Sequence, residues 1–96
     1  MTIGIAVLGS TGSIGQSALK VVARHRDRFH VVALTAFGRR DLLEEQVAAW
    51  QPAYVGLVSG PQNGWASGAE CLVEAATRPD VDVVVNGVVG AAGLEA

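Results

Sequence analysis

Apolar residues fall into two patterns that alternate along the chain. Ile3 to Leu8 is a short, unbroken apolar run with β-branched members that ends at Gly9, which predicts a strand buried on both faces. From Ser13 to about Arg24, Ile14, Ala18, Val21 and Val22 recur at helical spacing with Gln16, Lys20 and Arg24 on the other side, which predicts an amphipathic helix. A polar break, His25 to Arg28, leads to a second strand-like run, Phe29 to Ala36. Leu42, Leu43, Val47 and Trp50 then return to helical intervals. Glu44 and Glu45 sit where acids favour the helix dipole and Pro52 stops the segment, so a helix runs from about Asp41 to Trp50. Tyr54 to Val58 reads as a third strand, Ser59 to Gly64 as a turn-rich loop, about Gly68 to Thr77 as a third helix, and Asp82 to Asn86 as a fourth strand.

Alternating strands and helices without a hairpin signal call for crossover connections, and so for an α/β fold: a doubly wound parallel sheet of Rossmann-like type. The pattern breaks off at Gly93-Leu94-Glu95-Ala96, where a further helix is due. The sheet is therefore expected to be incomplete at its C-terminal end, with residues 1–96 as the first part of a larger protein.

Composition narrows the function. The chain has 96 residues, half of them apolar and 17% charged, which suits one globular domain. Twelve glycines and few aromatics favour small side chains that let helices lie close on a sheet. A net charge of −2 with no basic run argues against nucleic acid as a partner. The single Cys71 and the separate His25 and His30 offer neither a disulfide nor a metal-ligand spacing. The first residues lack a charged leader and reach glycine after one strand's length, so neither a signal peptide nor a membrane helix is expected, and a cytoplasmic location is.

The chemistry concentrates between the first strand and the first helix, in Gly9-Ser10-Thr11-Gly12-Ser13-Ile14-Gly15. This Gly-x-x-Gly-x-x-Gly is a relative of the dinucleotide fingerprint. Gly9 is expected to turn the chain, Gly12 to let a pyrophosphate approach bare backbone, and Gly15 to let the helix pack closely on the strand. The amides of Thr11, Gly12, Ser13 and Ile14 are expected to face the anion, with the hydroxyls of Ser10, Thr11 and Ser13 adding hydrogen bonds. A Gly/Ser turn that merely caps a helix is the plainer alternative; the position after a first strand and before an amphipathic helix favours the dinucleotide. No Lys-Ser/Thr pair follows, which excludes a Walker A loop.

An NAD site carries an acid at the end of the second strand. This chain has Thr35-Ala36-Phe37-Gly38-Arg39-Arg40 there, two guanidiniums suited to a 2′-phosphate and no carboxylate to repel one, so NADP(H) is expected over NAD(H). Alternatively, Arg39 and Arg40 form a solvated turn ahead of the helix, with Glu44 in reach. The stretch Asn86 to Leu94 reads equally as small residues against a dinucleotide or as a Gly/Ala turn into a helix. Asp80 and Asp82, at the N-terminal end of a strand, read as a solvated turn.

Three segments, GSTGSIGQSAL (9–19), RFHVVALTA (28–36) and VVGAAGL (88–94), together resemble the 1-deoxy-D-xylulose 5-phosphate reductoisomerase family. The resemblance spans nearly the whole chain. It implies an NADPH-dependent enzyme of non-mevalonate isoprenoid synthesis that rearranges and reduces a sugar phosphate, 1-deoxy-D-xylulose 5-phosphate, to 2-C-methyl-D-erythritol 4-phosphate. It also implies a cytoplasmic (or plastid) homodimer that uses Mg or Mn. By motif it implies Thr11, Gly12, Ser13 and Ile14 as cofactor-binding residues beside Gly9 of the turn, and a second contact after the second strand that falls on Phe37-Gly38-Arg39, or on Gly38, Arg39 and Arg40 if one residue is inserted. In place of the family's Gly-Lys-Asn or Arg-Asn stretch this chain has Phe37-Gly38-Arg39-Arg40: the Asn is missing and Phe37 departs from the pattern.

The family is several times longer, and its metal ligands and substrate contacts lie beyond Ala96. No catalytic or metal-binding residue is therefore expected here, and the chain alone is expected to be inactive. Two other readings remain: a stand-alone nucleotide-binding module, and another NADP-dependent oxidoreductase with the same glycine loop.

Overall fold

A computed structural model describes residues 2–59, 64–68 and 70–87. The elements run β1 (Ile3–Leu8), α1 (Ser13–Ala23), β2 (Phe29–Ala36), α2 (Arg40–Trp50), β3 (Tyr54–Leu57), β4 (Ala66–Ser67), α3 (Glu70–Ala76) and β5 (Val83–Asn86). The five strands form one sheet in the order β4-β3-β2-β1-β5, and every pairing is parallel. This is the doubly wound arrangement the alternation predicts. The two-residue β4, within a stretch assigned to no element, is the addition; two residues are too few for a periodicity to register.

Side chains alternate between the sheet's faces. Ile5 and Val7 join Val31, Leu34, Ala36 and Leu57 in a core closed by Leu19 and Val22 of α1 and Leu43 of α2. On the opposite face Ala6, Leu8 and Ala33 meet Ala75 of α3, with Leu72 and Ala76 packed alongside. The pairing of β1 with β2 slips by one residue between Ile5 and Ala6, so that Val31 pairs with Ile5 and Ala33 with Ala6. That irregularity lets both Val31 and Leu34 enter the same core.

The first helix is rotated from the expected setting. Its buried residues are Gly15, Leu19 and Val22, whereas Ile14 is 49% and Val21 57% exposed. Hydropathy alone treats Gly15 as neutral, yet backbone contact at Gly15 decides which stripe faces the sheet. In α2, Gln46 is buried beside Leu43. Among the described residues no helix is long and apolar enough to cross a membrane.

On the α3 side, the hydroxyl of Tyr54 donates to Glu74 at 2.5 Å, and Arg78 lies 5.6 Å from the Tyr54 ring centre. Burial first, then the bond to Glu74, raises the Tyr54 pKa above its ordinary 10.0. Burial, then the charge of Glu74, likewise raises Cys71 above 9.0. In the unfolded chain both groups release their protons at lower pH than in the folded one, so their contribution to stability is intact below about pH 9 and declines as pH rises further. Denaturant midpoints of the intact protein should hold from neutral pH to about 9 and then fall. Tyr54→Phe should flatten the part of the fall above about pH 10; an unaltered slope would remove Tyr54 from this account.

Candidate functional site

The strand order reverses between β1 and β5, and at that switch point, beyond the carboxyl ends of the strands, lies a cleft of about 460 Å³. The turn into α1 contributes Gly9, Thr11, Gly12 and Ser13, and Gln16 follows from the helix itself. The segment after β2 contributes Phe37, Gly38 and Arg39, and Gly87 lies just past β5. Arg39 is the one ionisable side chain among these residues, and no carboxylate is present.

The turn is held tightly. Gly9 adopts φ +77°, a left-handed conformation suited to glycine. The amides of Gly9 and Ser10 both donate to the Thr35 carbonyl at 2.8 Å. Gln46 Nε2 donates to the Ser10 carbonyl at 2.8 Å from within the core, and Gln16 Nε2 donates to the Thr11 carbonyl at 2.8 Å. The Thr11 hydroxyl lies 3.4 Å from the Gly38 carbonyl, a long contact that links the turn to the segment after β2.

Gly12 is the N-cap of α1, in extended conformation, and no side chain caps the helix. Its carbonyl accepts the Gln16 amide at 2.9 Å and its own amide donates to the Gly9 carbonyl at 3.1 Å. The amides of Thr11, Ser13 and Ile14 donate to no backbone carbonyl among the described residues. An uncapped helix start with open amides carries partial positive charge and suits an anion. A Cβ on Gly12 would meet only the Gly9 oxygen, at 3.5 Å, so this position is open backbone. A Cβ on Gly15 would lie 2.3 Å from the Gly9 oxygen and 2.6 Å from the Ser10 Cα, so only glycine lets α1 start this close to the turn.

Of the residues picked out in the sequence, Gly9, Thr11, Gly12, Ser13, Gly38 and Arg39 share the cleft. Ile14 and Arg40 are not among its lining residues. Arg40 is already in the first turn of α2, where it has an interaction of its own. Three details differ from expectation. The Gly12 amide is engaged within the turn, leaving three open amides in place of four. The Ser10 hydroxyl is fully buried, away from solvent and without a hydrogen-bond partner among the described residues. Gly15 packs on the backbone of the turn itself.

Arg39 is the N-cap of α2 with φ 59° and ψ 54°, a left-handed conformation uncommon for a residue with a side chain. Such a conformation costs about 1–3 kcal/mol and persists where the surroundings enforce it. Phe37, from the segment after β2, and Gly87, from the stretch Asn86 to Leu94, also line the cleft, as does Gln16, which the sequence pattern does not single out. For Gln16 the available signal was a long amide four residues after the N-cap, able to reach back to the turn. Of the stretch Asn86 to Leu94, read equally as small residues against a dinucleotide or as a turn into a helix, residues 88–94 lie outside the described residues.

At the opposite end of the strands Arg78 pairs with Asp80 at 2.9 Å, and this hydrogen bond holds the Asp80 carboxyl below its usual range. Asp82 accepts the Gly4 amide at 2.8 Å. Among the described residues no three His, Cys, Asp or Glu side chains cluster, so they offer magnesium no ligand set.

The family model for 1-deoxy-D-xylulose 5-phosphate reductoisomerase matches residues 5–96. The reductoisomerase of Thermomicrobium roseum is 46% identical over 101 residues, covering 99% of this chain and 26% of the relative. That of Geotalea uraniireducens is 45% identical over 102 residues, covering 94% of this chain and 26% of the relative. The chain thus spans about a quarter of the length of the curated relatives it matches. A crystal structure of DOX-P reductoisomerase in complex with NADPH, fosmidomycin and magnesium superposes with a TM-score of 0.79 at 30% identity, over 85% of this chain and 23% of that one. The Zymomonas mobilis reductoisomerase in complex with NADPH gives a TM-score of 0.58 at 26% identity, over 90% of this chain and 21% of that one.

The two glycines of the helix start should respond oppositely to a methyl group. Gly15→Ala should destabilise the intact protein by about 1–3 kcal/mol in chemical denaturation, since helix and turn must separate. Gly12→Ala, with room for its Cβ, should leave the midpoint near wild type. Equal effects would contradict the close contact described for Gly15.

Proposed function

The chain belongs to the 1-deoxy-D-xylulose 5-phosphate reductoisomerase family, and we propose that it forms the NADPH-binding part of an enzyme that rearranges and reduces 1-deoxy-D-xylulose 5-phosphate to 2-C-methyl-D-erythritol 4-phosphate. The observation that carries this reading is the uncapped start of α1, where the Thr11, Ser13 and Ile14 amides have no backbone partner among the described residues and Thr11 and Ser13 line a carboxylate-free cleft. NADPH, when bound, supplies the hydride for the reduction.

The residues of this chain bind and orient. The amides of Thr11, Ser13 and Ile14 receive the pyrophosphate, and Gly9 and Gly12 leave it room to approach. Arg39, fixed at the start of α2, donates to the 2′-phosphate. Gly38, which has no side chain, borders the adenosine ribose, and Arg40 adds positive charge from the neighbouring first turn of α2. Holding the cofactor in one position lowers the entropic part of the barrier without any of these groups taking part in bond-making. Rearrangement, metal binding and recognition of the sugar phosphate then fall to parts of the enzyme other than these residues. The family match removes the reading as a different NADP-dependent oxidoreductase. Family membership also supports a cytoplasmic location and a homodimer for the intact protein.

Arg39→Ala in the intact protein tests the 2′-phosphate assignment. A charge-assisted hydrogen bond of about 1.5–3 kcal/mol predicts a loss of roughly 10- to 100-fold in NADPH affinity, with NADH affinity unchanged. Equal losses for both nucleotides, or none for NADPH, would contradict it.

A further inference from the structure

Phe37 is 47% exposed and belongs to neither hydrophobic cluster of the core. A single exposed aromatic is unremarkable on a protein surface. This one borders the cleft, directly after β2, and its backbone is held on both sides. The Ser59 amide donates to the Phe37 carbonyl at 2.9 Å, and the Val58 amide donates to the Ala36 carbonyl at 2.8 Å. The next carbonyl, that of Gly38, faces the Thr11 hydroxyl at 3.4 Å. Gly38 itself is open: a Cβ there would meet only the Ser59 oxygen, at 3.9 Å. An aromatic ring on an anchored backbone, that of Phe37, and the guanidinium of Arg39 thus flank a residue without a side chain.

In doubly wound folds the end of the second strand meets the adenosine half of a dinucleotide. We infer that Phe37 is the stacking surface for the purine ring of the coenzyme and a determinant of affinity for its adenosine 2′-phosphate half, an inference that rests on the NADPH reading above. A purine offers a flat π-face to the ring, and stacking of this kind tolerates exposure on its outer side. Phe37 acts here by binding and takes no part in the hydride transfer.

The test uses the intact protein and equilibrium binding of NADPH and of adenosine 2′,5′-bisphosphate, which keeps the purine and the 2′-phosphate but lacks the nicotinamide. Phe37→Ala should weaken both by roughly tenfold. Phe37→Leu, apolar but without a π-face, should recover little of that loss. Phe37→Trp should bind near wild-type strength, and the emission of its added indole should be quenched by the bisphosphate. Unchanged affinity of Phe37→Ala for the bisphosphate, or full recovery by Phe37→Leu, would overturn the stacking role while leaving NADPH binding intact. If the wild-type protein binds neither ligand, the NADPH reading itself fails and the stacking role falls with it.

Discussion

The first helix starts against the turn that launches it, and everything at the cleft depends on that contact. With a Cβ at position 15 only 2.3 Å from the Gly9 oxygen, any other residue would push α1 away from β1. With glycine there, the helix rotates its 15, 19 and 22 stripe onto the sheet. The amides at its start then remain beside the cleft and no side chain folds back to cap them. Close packing and anion binding are two results of the same missing methyl group.

The turn is supported from below by polar groups in an otherwise apolar layer. The Thr35 carbonyl takes two amides from the turn, and Gln46 reaches from α2 to the Ser10 carbonyl. A buried carbonyl left without a donor costs about 1–3 kcal/mol, so Gln46 has reason to occupy a core position of its helix. It also ties α2, whose N-cap is Arg39, to the turn that starts α1. The groups proposed for the pyrophosphate and the 2′-phosphate are thereby joined through one buried side chain.

Strands and helices longer than three residues were readable because their signals are local. Short apolar runs with β-branched residues marked β1, β2, β3 and β5, and periodic apolar residues marked the helices to within a few residues. The rotation of α1 was not readable from hydropathy, because a buried glycine contributes almost nothing to an apolar stripe. β4 was too short to leave a pattern. At the cleft, the glycine spacing pointed to the helix start and the Arg pair to the segment after β2. Which amides stay open is a matter of three-dimensional hydrogen bonding: Gly12 spends its proton on Gly9, and spacing cannot reveal that. The left-handed conformation that sets Arg39 apart from Arg40 is equally invisible in composition.

Amide resonances of the intact protein titrated with NADPH address the central claim most directly, because each N–H of the turn reports separately. The amides of Thr11, Ser13 and Ile14 should show the largest downfield displacements, as new donors to the pyrophosphate. Those of Gly9 and Ser10, already committed to the Thr35 carbonyl, should move far less. Saturable NADPH binding that leaves the Thr11, Ser13 and Ile14 resonances in place would contradict the account.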